Sequence, residues 1–118
     1  DGSAIGVRGD PRLLRRLLRN LLENAQRHGV APTHVRIAQS PDGVEVVVSD
    51  NGPAIPAEQR ERLFEPFYRR ARGNENIGAG LGLALVRQIA RHHGGEALCV
   101  ATNDGHNCFV VRLQTPAT

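Results

Sequence analysis

The stretch HVRIAQSPDGVEVVVSD, residues 34–50, decides the fold. Two runs rich in Val and Ile flank Pro41-Asp42-Gly43, a strong turn signal, so the segment predicts a β-hairpin. EALCVATNDGHNCFVVRL, residues 96–113, repeats the pattern around Asp104-Gly105. Between and before these hairpins lie helical patterns. Asp10-Pro11 reads as N-cap and first helical residue, and the helix runs to about His28 with Gly29 as its stop. Leu13, Leu14, Leu17, Leu18, Leu21 and Leu22 supply a wide apolar face. AEQRERLFEPF, after Pro56, predicts a short helix ending near Pro66. A third helix runs from about Gly82 to His93 and ends at Gly94-Gly95. Ile5 and Val7 suggest a short edge strand before the first helix. Antiparallel hairpins separated by helices predict an α+β fold with helices on one face of a sheet. A doubly wound sheet would need βαβ crossovers, and the hairpins contradict it.

The bulk numbers narrow the function. One core and one domain, residues 1–118, suit 118 residues. No apolar run approaches the ~20 residues that cross a bilayer, so no direct membrane contact is expected. All 15 Lys+Arg residues are arginine, and the net charge is +3. Without lysine the chain is not an ordinary P-loop protein, because that loop needs a lysine on the β- and γ-phosphates. The basic residues are spread out. Their densest group, Arg69, Arg70 and Arg72, has only Tyr68 as an aromatic neighbour, so no nucleic acid is expected as partner. Cys99 and Cys108 lack CxxC spacing, which argues against a zinc site and for two buried thiols.

Three stretches carry chemistry. Asn20, Asn24 and Arg27 share one stripe of the first helix. Asparagine is not favoured inside helices. The stripe is either a solvated face or a ledge offering amide oxygens to a cation and a guanidinium to a phosphate, as suits Mg²⁺ held jointly with a nucleotide. SDNGPAIP, residues 49–56, follows the strand Val44–Val48. It is either turn chemistry or a carboxylate aimed into a pocket beside a close-approach glycine. In GAGLGLALVRQIARHHGG, residues 78–95, alternate glycines open a helix. A dinucleotide fingerprint is rejected: the sixth position is Leu83 and no strand precedes the loop. What remains is either packing or an anion held at a helix N-terminus. Residues 68–80, without apolar periodicity, read as a lid or binding loop.

In this order and at these separations, the stretches resemble the ATP-binding catalytic domain of two-component sensor histidine kinases, in the wider group with gyrase B, Hsp90 and MutL ATPases. LRNLLENAQRHG resembles the N box, DNGPAIP the G1 box, LFEPFYR the F box and GAGLGLALVRQIARHHGG the G2 box. The resemblance runs from about Val7 to Leu113. It implies a two-layer α/β sandwich of the Bergerat type, with a mixed, mostly antiparallel sheet and three helices on one face. The implied cofactors are ATP and Mg²⁺. It implies Asn24 as metal ligand and Asn20 and Arg27 as catalytic residues at the phosphates. His28 borders the adenine, and Asp50 accepts its amino hydrogen beside Gly52 and Ile55. Gly78, Gly80, Leu81, Gly82 and Leu83 line the phosphate end, and Phe64 and Phe67 hinge the lid. The implied partners are a dimerisation and phosphoacceptor domain of the same protein and a downstream response regulator. The implied setting is the cytoplasmic part of a membrane-anchored bacterial sensor kinase.

Three departures stand out. Ala54 occupies the usual place of the second G1 glycine. Asn107-Cys108 replace the small hydroxyl residues common before Phe109. No histidine lies in a phosphoacceptor box: His28, His34, His92, His93 and His106 all lack its acidic neighbour and downstream proline. Phosphoryl transfer to a histidine on a separate domain is therefore the leading expectation. The alternatives are an ATPase or anti-sigma-type serine kinase of the same fold, and a nucleotide-binding regulatory module without transfer. Asn20 weighs against an ATPase, since it stands where those enzymes place a glutamate base and cannot take a proton.

Overall fold

A computed structural model describes residues 11–41, 43–66 and 82–114. The expected N-cap Asp10, the edge strand with Ile5 and Val7, Asp42 of the first turn, Phe67, Gly78, Gly80, Leu81, the arginine cluster around Tyr68 and the lid lie outside the described residues.

The element order is α1 (Pro11–His28), β1 (His34–Ser40), β2 (Gly43–Pro53), α2 (Ala57–Arg60), a 3₁₀ turn (Glu61–Phe64), α3 (Gly82–His92), β3 (Glu96–Ala101) and β4 (His106–Gln114). Each hairpin pairs as expected. The sheet order is β1-β2-β4-β3, so β2 and β4 join the two hairpins through Val48↔Phe109 and Val46↔Val111. All three described pairings are antiparallel. The helices stand on one face, giving the α+β architecture expected.

Period-two alternation sorts the sheet residues between its two faces. Val44, Val46 and Val48 of β2, Phe109, Val111 and Leu113 of β4, and Ala97 and Cys99 of β3 are buried. They meet Leu17, Leu21 and Ala25 of α1, Leu63 and Phe64 of the 3₁₀ turn, and Leu83, Val86, Ile89 and Ala90 of α3. Leu13, Leu14 and Leu18 are only partly buried, and Leu22 is 37% exposed. The apolar face of α1 is therefore narrower than its leucines suggest. At ~100° per residue, Leu22 stands about 140° round the helix from Leu17 and misses the sheet.

Two elements differ from their expected form. β2 does not stop at Val48. It runs on to Pro53, with its register against β4 shifted between Ser49 and Pro53, where Pro53 faces His106. A bulge absorbs the turn-like residues and re-aims the side chains there. The short helix after Pro56 splits into one α turn and one 3₁₀ turn. Glu65 is then extended at ψ 139°, as the residue before a proline prefers.

α3 ends as its glycines predict. Gly94 adopts φ +76°, its N–H reaches Arg91 O, and the Gly95 N–H reaches Ala90 O. Those two bonds form a Schellman cap, which favours glycine at the left-handed position. No described helix is long and apolar enough to cross a membrane.

Candidate functional site

The bulged end of β2 carries Asp50, which is 4% exposed. Its Oδ1 accepts the Gly52 N–H at 2.6 Å and the Val30 N–H at 3.3 Å. Asn51 N–H in turn donates to Val30 O at 2.8 Å. These bonds tie the strand end to the segment leaving α1 and hold the carboxylate between them. Close approach is built in on both sides. A Cβ on Gly29 would stand 2.7 Å from Asp50 Oδ2, and one on Gly52 would stand 2.8 Å from Oδ1. SDNGPAIP is thus no plain surface turn: its carboxylate is buried and aimed by backbone donors.

The second hairpin braces this stretch. Ala54 N–H donates to Gly105 O at 2.9 Å, and His106 Nδ1 lies 3.3 Å from Gly52 O. Ile55 is buried, and its carbonyl accepts Arg60 Nε–H at 2.8 Å. On β4, Asn107 is buried and its Oδ1 accepts a weak bond from Cys99 Sγ at 3.4 Å. Cys108 is buried beside Ser49. Burial pushes its thiol pKa up; Arg36 opposes this, and the charges of Glu45 and Asp50 add to it.

The stripe on α1 is positioned by α1 packing on α3. Asn20 and Asn24 are half-buried, Arg27 is exposed, and His28 is half-buried and engaged in contacts of its own. Asn20 Nδ2 donates to Gly82 O at 3.4 Å, so the stripe reaches the first residue of α3. Leu83, next along, is buried and anchors that helix start. Among the described residues nothing lies within 4 Å of a Cβ placed on Gly82. Packing among the described residues therefore does not demand a glycine there. Gly29 lies nine positions on from Asn20, just past the end of α1, ~13 Å along the axis. The helix thus links two polar ends: the start of α3 and the buried Asp50.

Of the expected site residues, the structure gathers Asp50, Gly52, Ile55 and the C-terminal end of α1 at one end. It gathers Asn20, Gly82 and Leu83 at the other. Phe64 is buried edge-to-face against Phe109, with ring centroids 6.2 Å apart. Gly29 and Val30 join the Asp50 end without having been singled out beyond a helix stop. Their part depends on where β2 passes, which local sequence does not record. No group of three or more His, Cys, Asp or Glu side chains forms a metal cage among the described residues. The donors at hand are amide oxygens. They fit a Mg²⁺ that keeps waters and shares phosphate oxygens, rather than an all-protein site.

This geometry is that of an α+β domain with a buried carboxylate beside the end of α1, and similarity to known proteins places it. Residues 9–117 match the family described as "Histidine kinase-, DNA gyrase B-, and HSP90-like ATPase", and the chain belongs to that family. It is 43% identical over 115 residues to the sensor protein IrlS of Burkholderia pseudomallei, covering 94% of this chain and 24% of that protein. It is 40% identical over 89 residues to the sensor histidine kinase CpxA of Escherichia coli, covering 74% of this chain and 20% of that protein. The mycobacterial sensor histidine kinase MprB superposes with a TM-score of 0.79 at 33% identity, over 95% of this chain and 78% of that one. The ATP-binding domain of PrrB from Mycobacterium tuberculosis gives 0.75 at 34% identity, over 94% and 73%. The chain spans a fifth to a quarter of the length of these curated relatives.

Proposed function

We propose that this chain is the ATP-binding catalytic domain of a sensor histidine kinase, binding Mg-ATP and donating the γ-phosphoryl to a histidine on another domain of the same protein. The observation that carries the reading is Asp50, a buried carboxylate held by the backbone N–H groups of Gly52 and Val30 beside the C-terminal end of α1, the helix whose Asn20 bonds Gly82 at the start of α3.

In this reading Asp50 accepts the exocyclic amino hydrogen of adenine. Guanine presents an oxygen at that edge, and two acceptors facing each other repel, so adenine is selected. Gly29 and Gly52 keep side-chain atoms out of the space around the carboxylate. Ile55 and His28 border the base. Asn20 at the other end and Arg27 from the C-terminal part of α1 orient the phosphates, and the free N–H groups at the start of α3 offer donors beside Gly82 and Leu83. Asn24 holds the cation through its amide oxygen. When bound, Mg²⁺ supplies positive charge against the departing phosphoryl group. By the resemblance, residues 68–80 correspond to the lid, Phe64 and Phe67 to its hinge, and Gly78, Gly80 and Leu81 to positions that line the phosphates.

The acceptor histidine and its base belong to a dimerisation domain, and a response regulator takes the phosphoryl group onward. The names of the relatives, sensor proteins and a signal-transduction kinase, support this assignment. The setting proposed for the domain is the cytoplasmic part of a membrane-anchored sensor.

The test is a calorimetric Mg-ATP titration of the chain, followed by incubation with [γ-³²P]ATP and a separately expressed dimerisation domain. Binding and label on a histidine are expected. No binding by the wild-type chain would refute the nucleotide assignment. Binding without label would leave a nucleotide-binding module that does not transfer.

A further inference from the structure

Arg87, midway along α3, makes a set of contacts that the site so far does not use. Its guanidinium donates from Nη1 to Glu61 Oε1 at 2.8 Å and from Nη2 to Glu61 Oε2 at 2.9 Å. Nη2 also donates to Ala97 O at 3.0 Å, and Nε lies 3.2 Å from Glu96 Oε1 without an aligned hydrogen bond. Its Cζ sits 4.2 Å from the centroid of the Phe64 ring. The Arg87 side chain is 13% exposed, whereas Glu61 is 74% exposed. One largely covered cation therefore joins α3, β3 and the 3₁₀ turn.

The 3₁₀ winding explains how two residues of that turn reach the same cation. Side chains at i and i+3 eclipse in a 3₁₀ helix, so Glu61 and Phe64 stand on one side. An α-helical turn would stagger them. The planar fork of arginine fits this arrangement, since it binds a carboxylate in bidentate fashion and stacks on a ring at once. A lysine offers neither geometry. Phe64 passes the constraint on, because it packs edge-to-face on Phe109, and Phe109 pairs with Val48, two residues before Asp50.

We propose that Arg87 is a positioning residue for nucleotide binding. It clamps the 3₁₀ turn so that Phe64 is held against Phe109, whose strand partner Val48 lies two residues before Asp50. It touches no nucleotide and acts through Phe64. The inference rests on the nucleotide reading above and adds a residue that no box motif in the chain marks for this role.

The test compares the 118-residue wild-type chain with Arg87→Met, Glu61→Gln and Arg91→Met. Arg87→Met keeps the apolar stem and removes the fork. Glu61→Gln changes an exposed partner that leaves the core intact. Arg91→Met removes a neighbouring guanidinium that pairs with Glu96 but not with the 3₁₀ turn. Affinity for a non-hydrolysable ATP analogue with Mg²⁺ is titrated well below each variant's melting temperature, so that only folded protein is compared.

Arg87→Met is expected to raise the Kd about three- to thirtyfold, the range for residues coupled to a site without touching its ligand. Glu61→Gln is expected to move it the same way by less, and Arg91→Met to leave it unchanged. A lowered melting temperature with a Kd within about twofold of wild type would overturn the proposal and leave Arg87 a purely structural clasp. Should Arg87→Met fail to fold, the same criterion applied to Glu61→Gln decides. A wild-type chain that binds no nucleotide refutes the underlying assignment instead. Wild-type binding that survives both clasp variants refutes only this inference.

Discussion

Asp50 Oδ1 accepts the N–H of Gly52 at 2.6 Å, so the carboxylate is aimed by the residue two places along its own strand. The bulge in β2 makes this possible, because it breaks the ladder just where Asp50 needs a donor from its own chain. The arrangement leaves Oδ2 against Gly29, on the side of α1.

Asp50→Asn keeps one oxygen for the backbone N–H groups and places a donor where an acceptor is needed. Hydrogen bonds to charged groups contribute ~1.5–3 kcal/mol, so ATP affinity should fall about ten- to a hundredfold. Calorimetry reads the affinity, and a melting curve checks that the fold is retained. Unchanged affinity would remove Asp50 from the pocket.

Gly29→Ala should damage both fold and binding. Its Cβ would stand 2.5 Å from Ala25 O and 2.7 Å from Asp50 Oδ2. Overpacking of this kind costs ~1–3 kcal/mol, to be read from urea denaturation.

Gly82→Ala separates the two explanations of the glycine-rich stretch. Among the described residues nothing crowds the new methyl group, and alanine favours a helix over glycine by up to ~1 kcal/mol. The chain should therefore be as stable as wild type or more so, while ATP affinity drops because the methyl enters the phosphate end. A loss of stability with intact affinity would return this glycine to packing.

Asn24→Ala should weaken nucleotide binding only when the cation is present. Titrations with excess Mg²⁺ should separate the variant from wild type, and titrations in EDTA should bring the two together. Equal weakening in both conditions would assign Asn24 to the nucleotide alone.

The clasp on Arg87 should carry a pH signature. The Arg87 hydrogen bonds hold the Glu61 carboxyl below its ordinary range, with desolvation opposing. Glu96 is also lowered: desolvation works against it, but the Ala97 N–H and Arg91 together with Arg87 outweigh that. A carboxyl lowered in the folded state stabilises the fold above its unfolded pKa, and that stability is lost as pH falls through the folded pKa. The stability gap between wild type and Glu61→Gln should therefore be constant near neutral pH and close in acid. Because Glu61 is largely exposed, the gap should be small and shrink with salt.

Much of this was legible in the chain itself. The leucine spacing of α1, the two Val-rich hairpins and the glycine pair ending α3 each follow from local rules: helical period, strand alternation and left-handed capping. The order of the boxes pointed to the family, and residues 9–117 match it. Other features depend on who stands across the gap. Leu22 looked apolar-facing, yet no described element covers it. SDNGP read either as a turn or as a carboxylate aimed into a pocket, and it is a bulged strand, because β4 continues to pair with it as far as His106. Arg87 carried no signal at all: Glu61 lies 26 residues away, and only the packing of α3 on the 3₁₀ turn brings the two charges together.

By itself, then, the sequence determined the elements, their pairing into hairpins, the α+β class and the chemical types at the site, because these rest on periodicity and backbone preference within a few residues. The tertiary structure alone decided that β2 lies beside β4, that Asp50 is buried between Gly29 and Gly52, that Asn20 reaches the start of α3, and that Arg87 clasps Glu61 and Phe64. Those outcomes come from burying one shared core, in which residues distant in the chain compete for the same space and the same hydrogen-bond partners.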